Sequence, residues 1–127
     1  MNREKVIFAF FIVLALTLNF GFFIGEIDNP DHHDVFELFL ALVVSLICTV
    51  LKFGDRSHLG ALMLATSLVA DLQLIVAAGI WGYGEHIAAT GVEAEVMASV
   101  VSFAGGALVA NITSVILLMV ETVLIRR

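Results

Sequence analysis

The chain has 127 residues, of which 61% are apolar and 14% charged, with a formal net charge of −6 and a mean hydropathy of +1.07. Ordinary soluble domains are roughly half apolar and a quarter charged, and a domain this small exposes much of its surface. The composition therefore excludes an ordinary water-soluble fold, and the single cysteine, Cys48, excludes an internal disulfide.

Four continuous apolar runs are long enough to cross a bilayer as helices, which takes about 17–25 residues. They are Val6–Ile24, Val35–Leu51, Leu59–Trp81 and Val96–Ile125. Because the runs do not alternate with a period of two, they favour helices over a barrel. No small-residue cleavage site follows the first run, so it is predicted to remain as a helix. We predict an all-α integral membrane protein in which residues 1–127 form one domain of four transmembrane helices.

The basic residues predict the orientation of this arrangement. All six lie on one side of a four-pass topology: Arg3, Lys5, Lys52, Arg56, Arg126 and Arg127. By the positive-inside rule this side is cytoplasmic, and both termini are expected there. Nucleic-acid binding is not expected, because the membrane surface accounts for these basic residues.

The opposite side is rich in carboxylates and forms a predicted outer acidic collar. Its candidate members are Glu26, Asp28, Asp31, Asp34 and Glu85. Such a collar would concentrate cations through its field. The alternative is that these loops are acidic only because lysine and arginine are excluded from them.

The loop before the second run contains a possible metal site. Asn29 and Pro30 have the pattern of a helix cap followed by the first helical residue. On that helix His33 and Glu37 would lie one turn apart, so His32, His33 and Glu37 are candidate metal ligands. Their spacing matches no specific ligand signature. The histidines could instead change charge with external pH.

Asp71 lies near the middle of the third run and is the main functional candidate. An aspartate at that depth costs about 2.5–3.5 kcal/mol on insertion scales, which suggests an ion site, a proton relay or an interhelical lock. Asn111, at a similar depth in the fourth run, could bind a cation with Asp71, or the two could satisfy each other. Ser67 shares a helix face with Asp71, whereas Gln73 points nearly the opposite way. We therefore predict contacts on two sides of this helix, one of them with another subunit of a homo-oligomer.

The fourth run carries small residues at every fourth position, a pattern typical of closely packed membrane helices. They are Ala98, Ser102, Gly106, Ala110 and Ser114. Glu121 follows on nearly the same face, close to the cytoplasmic end. It is either part of a cation pathway or the ion-pair partner of Arg126 or another basic residue.

The tripeptide Gly82–Tyr83–Gly84 follows the third run and echoes part of the potassium-channel filter. The residues before it differ from a filter sequence, and a full-length span precedes it where a short pore helix belongs. We therefore predict a loop turn at this position.

The stretch Leu51–Ile75 resembles an uncharacterised family of small bacterial inner-membrane proteins of unknown function. The resemblance implies a bacterial inner membrane and no activity. The length is also that of small multidrug transporters and of fluoride channels. However, the first run has no acidic residue, as the transporters need, and Gly105–Gly106 is not followed by the Thr/Phe/Ser run of the channels.

Together these patterns predict a homo-oligomeric channel or transporter for a small cation, with Asp71, Asn111, Ser67 and Glu121 along its pathway. The alternative is a non-transporting accessory or assembly subunit of a larger membrane complex. The runs contain no nucleophile–base pair and no metal-ligand cluster, so we expect no enzyme activity and no cofactor.

Overall fold

The computed structural model of the chain describes residues 3–25, 29–87 and 93–125, and these residues form four long helices. They are α1 (Arg3–Phe23), α2 (Val35–Lys52), α3 (His58–His86) and α4 (Ala94–Ile125), with a short 3-10 helix at Pro30–His32 before α2. Each long helix is long and apolar enough to cross a membrane. The part of the chain described contains no strand, which confirms the predicted all-helical class.

Side-chain caps determine where α2 and α3 begin. The Asp34 carboxylate accepts a hydrogen bond of 2.8 Å from the Phe36 amide at the start of α2. The Ser57 hydroxyl accepts one of 3.0 Å from the Gly60 amide at the start of α3. Each cap satisfies an amide that has no partner within its own helix. Between the two helices Gly54 has a φ of +90°, which an L-residue rarely adopts.

The prediction of a loop turn at Gly82–Tyr83–Gly84 is wrong, because all three residues belong to α3. Gly84 is buried, and the amide of Ile87 still donates to the carbonyl of Tyr83 over 3.0 Å. The apolar run ends at Trp81, but hydropathy reports where apolar residues end and not where helical hydrogen bonding ends.

The helices form a ring in which α1 packs on α2 and α4, and α3 packs on the same two. We call the end where α1 and α3 begin the basic end, and the end where α2 and α4 begin the acidic end. Buried positions recur at alternating steps of three and four residues, as in Phe8, Ile12, Ala15, Asn19 and Phe22 of α1. This spacing is typical of helices that cross at shallow angles.

Two apolar clusters fill the bundle, one towards each end. The acidic-end cluster includes Phe22, Leu74 and Val100. The basic-end cluster includes Phe8, Met63 and Leu118. Where the two clusters meet, every helix contributes buried polar side chains. We call these side chains the polar layer: Asn19, Ser45, Thr49, Ser67, Asp71, Asn111 and Ser114.

The outward faces of the helices are apolar. At most 39% of any membrane-length helix window is buried inside the bundle. Large apolar side chains cover the remainder, among them Phe10, Val50, Val109 and Met119. A soluble monomer rarely exposes contiguous apolar surface on this scale, so the exterior is suited to lipid.

Candidate functional site

Asp71 is held by two hydroxyl groups of the neighbouring helix. It lies in the middle of α3 and is 5% exposed. The Ser45 hydroxyl donates to Asp71 Oδ1 over 2.7 Å, and the Thr49 hydroxyl donates to Oδ2 over 2.5 Å. Ser45 and Thr49 are one turn apart on α2, so both reach the same carboxyl group. Each carboxyl oxygen therefore has its own donor, as a buried carboxylate requires.

Thr49 has a second acceptor within reach. Its hydroxyl oxygen lies 3.2 Å from the backbone carbonyl oxygen of Ser45, in the preceding turn of α2. The hydroxyl has a single proton, which can point to Asp71 or to this carbonyl. The Thr49 oxygen can thus act as donor to an ionised Asp71 or as acceptor from a protonated one, with its own proton still bonded in both cases.

Asn19 and Asn111 connect α1 to α4 in the same layer. We assign the Asn19 amide with its nitrogen towards the carbonyl oxygen of Ala104, 3.1 Å away, because the opposite assignment faces acceptor to acceptor. Asn19 Oδ1 then accepts from the Leu108 amide over 3.0 Å and from Asn111 Nδ2 over 3.3 Å. Gly105 and Gly106 lie in this turn of α4, where a short side chain allows the close approach of a neighbouring helix.

The hydrogen bonds of Asp71 and Asn111 go to different helices. Asp71 is bonded to α2, and the amide nitrogen of Asn111 is bonded to Asn19 of α1. The oxygen of the same carboxamide, Asn111 Oδ1, is buried and has no hydrogen-bond partner among the described residues, and the same holds for Ser67 Oγ. Two such atoms in one layer are unusual, because buried polar atoms are nearly always hydrogen-bonded.

Asp71 and Gln73 point to opposite sides of α3, as predicted, but both sides are occupied within one chain. Asp71 faces α2. Gln73 lies against Gly106 of α4, where an added Cβ would be 3.0 Å from the Gln73 amide. On the same side the hydroxyls of Thr66 and Ser114 are hydrogen-bonded to each other. The opposed polar residues of α3 therefore do not require a second subunit, and the homo-oligomer stays a prediction.

The stripe of small residues on α4 is only partly a packing face. Ala110 and Ser114 are buried, Ala98 and Gly106 are partly buried, and Ser102 is exposed. A repeat of four residues turns by about 40° at each step, because four residues make slightly more than one helical turn. Successive members of the stripe therefore rotate away from the face of α4 that points into the bundle. Residues at alternating steps of three and four remain on that face.

Glu121 forms an ion pair at the basic end. Its carboxylate is 2.7 Å from Nζ of Lys5 on α1, and its side chain is 7% exposed. Leu118, in the basic-end cluster, lies between Ser114 and Glu121 along the buried face of α4. Glu121 is thus separated from the polar layer by apolar packing, and its partner is one of the basic residues at that end.

His33 is buried against the end of α1, and the helix predicted to carry it with Glu37 is interrupted. The Asn29 cap and Pro30 belong to the 3-10 helix, after which His33 is extended, with a φ of −130°. His33 Nδ1 is 2.5 Å from the carbonyl oxygen of Phe22, in the last turn of α1. The Glu37 carboxyl lies instead against Gly21.

The expectation that His33 and Glu37 lie one turn apart on one helix is therefore wrong. The side chain of His32 is outside the described part of the structure. Within the described residues, no group of three or more His, Cys, Asp or Glu side chains is arranged to hold a metal ion.

The predicted acidic collar is only partly described, since Glu26 and Asp28 lie outside the described residues. Asp31 and Glu85 are exposed at the acidic end. Asp34 is exposed too, but its carboxylate caps α2. One of the three described members therefore has a structural role in addition to its charge.

Sequence reasoning missed the three polar-layer residues Asn19, Ser45 and Thr49. Each is a common polar residue within an apolar run, and such residues often bond only to their own helix. One signal could have identified them. They lie on the same helix face as the large apolar residues, and the residues of that face are spaced three and four apart. In α2, for example, Leu38, Ala41, Ser45 and Cys48 follow this pattern.

A family model described as a family of unknown function, DUF6394, matches residues 32–122. The match covers α2 and α3 completely and most of α4, including the polar layer apart from Asn19. Neither a curated protein nor a solved structure matches the chain.

Proposed function

This chain belongs to DUF6394, a family of unknown function, and we propose that it is a multi-pass membrane protein that carries a small cation, the proton, by way of Asp71. The proposed location is the bacterial cytoplasmic membrane, with both termini in the cytoplasm, and the proposed assembly is a homo-oligomer. The charge distribution supports this orientation. Arg3, Lys5, Lys52 and Arg56 lie at the basic end, as the positive-inside rule expects of a cytoplasmic face.

The observation that carries the proposal is the pair of hydroxyl donors on Asp71. An ionisable residue inside a membrane span is expensive and is a functional candidate by default. Here both its charged and its neutral form have partners, because the Thr49 proton can turn from Asp71 to the carbonyl oxygen of Ser45, 3.2 Å away. A group that is satisfied in both protonation states can take up and release a proton without leaving a buried polar atom unpaired.

The same geometry favours a proton over a metal cation. The two hydroxyl oxygens lie 2.7 and 2.5 Å from the carboxyl oxygens, within direct hydrogen-bonding distance. A metal ion needs these oxygens around itself and therefore further apart. A proton needs no such space.

Ser67 and Asn111 offer a continuation of this path. Ser67 is one turn from Asp71 on the same face of α3, on the side towards the basic end. Its hydroxyl and Asn111 Oδ1 are buried and lack partners among the described residues. Both atoms are thus available to bond water or a rearranged neighbour.

A second function, the accessory subunit of a larger membrane complex, is favoured by the low exposure of Asp71. At 5% exposure and with both oxygens bonded to α2, the carboxylate also suits an interhelical lock. In that case the apolar exterior would contact a larger partner as well as lipid.

Proton flux into proteoliposomes with an entrapped pH-sensitive dye tests the proposal. We expect flux from the wild-type chain and none above empty liposomes from Asp71→Asn, which keeps the size of the side chain but replaces the carboxyl group with a carboxamide. Thr113→Val is the control, because this exposed hydroxyl of α4 bonds within its own helix, to the carbonyl oxygen of Val109, and to no other described residue. Undiminished flux in correctly assembled Asp71→Asn would remove the mechanism. Absence of flux from the wild type, together with a stoichiometric foreign subunit after mild purification, would favour the accessory role.

A further inference from the structure

A cavity of about 660 Å³ opens at the basic end, between the start of α1 and the end of α2. This volume lies within the roughly 300–1,000 Å³ typical of small-molecule sites. Its wall combines charged and apolar side chains, among them Glu4, Lys5, Phe8, Val50, Lys52 and Asp55. Phe8 of the basic-end cluster lines the cavity, and Thr49 of the polar layer lies about one turn from Lys52 along α2.

Lys52 is a buried cation beside this cavity. The residue is 5% exposed, and its ammonium lies 4.3 Å from the centroid of the Phe8 ring. Its carboxylate neighbour, Asp55, is 3.5 Å away, longer than the 2.7–2.9 Å of a strong charge-assisted hydrogen bond. A buried ammonium needs better compensation than one long contact and one ring face.

Asp55 is prevented from closing on Lys52 by the loop before α3. Its Oδ1 accepts from the Ser57 amide over 3.0 Å and from the Ser57 hydroxyl over 2.8 Å. These bonds and the charge of Lys52 hold the pKa of Asp55 below its usual value, so the carboxylate is ionised near neutral pH. The cavity therefore presents a cation and an anion side by side, in fixed positions.

The remaining charges of the wall make it slightly acidic. Lys5 is bonded to Glu121 over 2.7 Å, which largely neutralises both. This leaves Lys52, Asp55 and Glu4 as the other charged residues of the wall. A purely anionic ligand would meet this excess negative charge, whereas a ligand with one phosphate and one ammonium complements both signs.

An apolar groove continues from the cavity along the outward face of α2. It has a volume of about 300 Å³ and is lined by Val43, Leu46, Ile47, Val50 and Leu51. Val50 and Leu51 line the cavity as well. A charged cavity that leads into an apolar groove on a lipid-facing surface matches an amphiphile, not a soluble ion.

We propose that this site binds a glycerophospholipid with an amine-bearing zwitterionic headgroup, such as phosphatidylethanolamine. The phosphate accepts hydrogen bonds from the Lys52 ammonium, the headgroup amine donates to Asp55 or Glu4, and an acyl chain lies in the groove on α2. Basic pockets between membrane helices on the cytoplasmic side bind anionic lipid headgroups, and the carboxylates beside Lys52 favour a headgroup that also carries an amine. The assignment rests on the proposed insertion in the membrane, but not on proton transport.

Native mass spectrometry of the full chain in detergent tests the assignment, with phosphatidylethanolamine, phosphatidylglycerol, diacylglycerol and inorganic phosphate added separately. We expect phosphatidylethanolamine to be retained most strongly. Lys52→Gln should weaken that retention about tenfold or more, because a hydrogen bond to a charged group is lost. Arg56→Gln is the matched control, since Arg56 is an exposed basic residue outside the cavity, and it should change retention less than about twofold.

Ile7→Trp provides a second test that keeps Lys52, because Ile7 lines the cavity and a larger ring fills it. It should reduce retention whether or not Lys52→Gln folds. Tighter binding of phosphatidylglycerol would overturn the amine contact, and equal binding of diacylglycerol would overturn the phosphate contact. If inorganic phosphate alone competes, the ligand is a phosphate ion and not a lipid. Carbonate extraction separates the hypotheses: a chain that stays in the membrane pellet but retains no lipid disproves this site and leaves the proposed membrane function standing.

Discussion

The Asn111 side-chain amide on α4 donates to the Asn19 carboxamide oxygen on α1, over 3.3 Å. α1 and α4 are the first and last helices, so no loop connects them directly and side-chain contacts alone close the ring. The described polar contacts between them are this amide pair, the bonds of Asn19 to the α4 backbone, and the ion pair of Lys5 with Glu121. Polar contacts therefore join α1 to α4 at two levels of the bundle, in the polar layer and at the basic end.

We predict a measurable coupling between Asn19 and Asn111. Each should be replaced by leucine, singly and together, because leucine keeps the approximate volume. Unfolding in mixed micelles containing SDS then gives a double-mutant cycle. Polar contacts between membrane helices average about 0.6 kcal/mol and reach about 1.7 kcal/mol in such cycles, and we expect a value in that range. Additive effects of the two single changes would mean that the amides do not interact.

Removing Lys5 alone should destabilise the chain more than removing the charges of both Lys5 and Glu121. Lys5→Met leaves the largely buried Glu121 carboxylate without this partner, so we expect a loss of about 1–3 kcal/mol. The double variant Lys5→Met/Glu121→Gln should recover part of that loss, because the buried charge is gone. The same micelle titration measures both. A double variant as unstable as the sum of its single changes would contradict the pairing.

The sequence predicted the helices well and the polar layer only in part. Continuous apolar runs identify spans because the backbone must satisfy its own hydrogen bonds in lipid, whatever the packing. Asp71 was found because a carboxylate in such a run is costly. Its partners were not found, since Ser45 and Thr49 are inexpensive in a membrane helix and only the rotation of α2 against α3 brings them to Asp71.

The predicted link between Asp71 and Asn111 illustrates the same limit. Similar depth is a one-dimensional property that the sequence supplies, whereas the choice of neighbour depends on how each helix is rotated. α3 turns Asp71 towards α2, and α4 turns Asn111 towards Asn19. The expectation of one helix carrying both His33 and Glu37 was wrong for a comparable reason, because the chain is extended at His33.

Thr49 should control proton transfer through its hydroxyl and not through its shape. Thr49→Val keeps the shape but removes the donor to Asp71 Oδ2, and a hydrogen bond to a charged group is worth about 1.5–3 kcal/mol. We therefore expect proton flux in proteoliposomes to fall by about tenfold or more. Thr49→Ser should restore most of the flux. Equal flux from the serine and valine variants would show that the hydroxyl has no part in transfer.

Two glycines of different surroundings provide a matched test of the packing. A Cβ at Gly105 would lie 2.9 Å from Cε1 of Phe23. Apart from the nearby backbone of α3 and the two chain neighbours, no described atom lies within 4 Å of a Cβ at Gly79. Gly79→Ala should be neutral or stabilising by up to about 1 kcal/mol, because alanine favours the helix. Gly105→Ala should be less stable than Gly79→Ala by about 1–3 kcal/mol, since Phe23 must move. Equal stabilities of the two variants would mean that α1 and α4 are further apart than described.

Because of Asp55, the free energy of unfolding should depend on pH below about pH 5. The donors of Ser57, backbone first and hydroxyl second, and the charge of Lys52 lower its pKa in the folded chain. A lowered folded pKa gives stabilisation that is present above the unfolded value, about 3.9, and is lost as the pH falls through the folded pKa. The difference in unfolding free energy between wild type and Asp55→Asn should therefore be constant above about pH 5 and shrink below about pH 4. Because Ser57→Ala removes one of the two Ser57 donors, it should show a smaller decline with pH than the wild type, and a difference that grows in acid would contradict the assigned contacts.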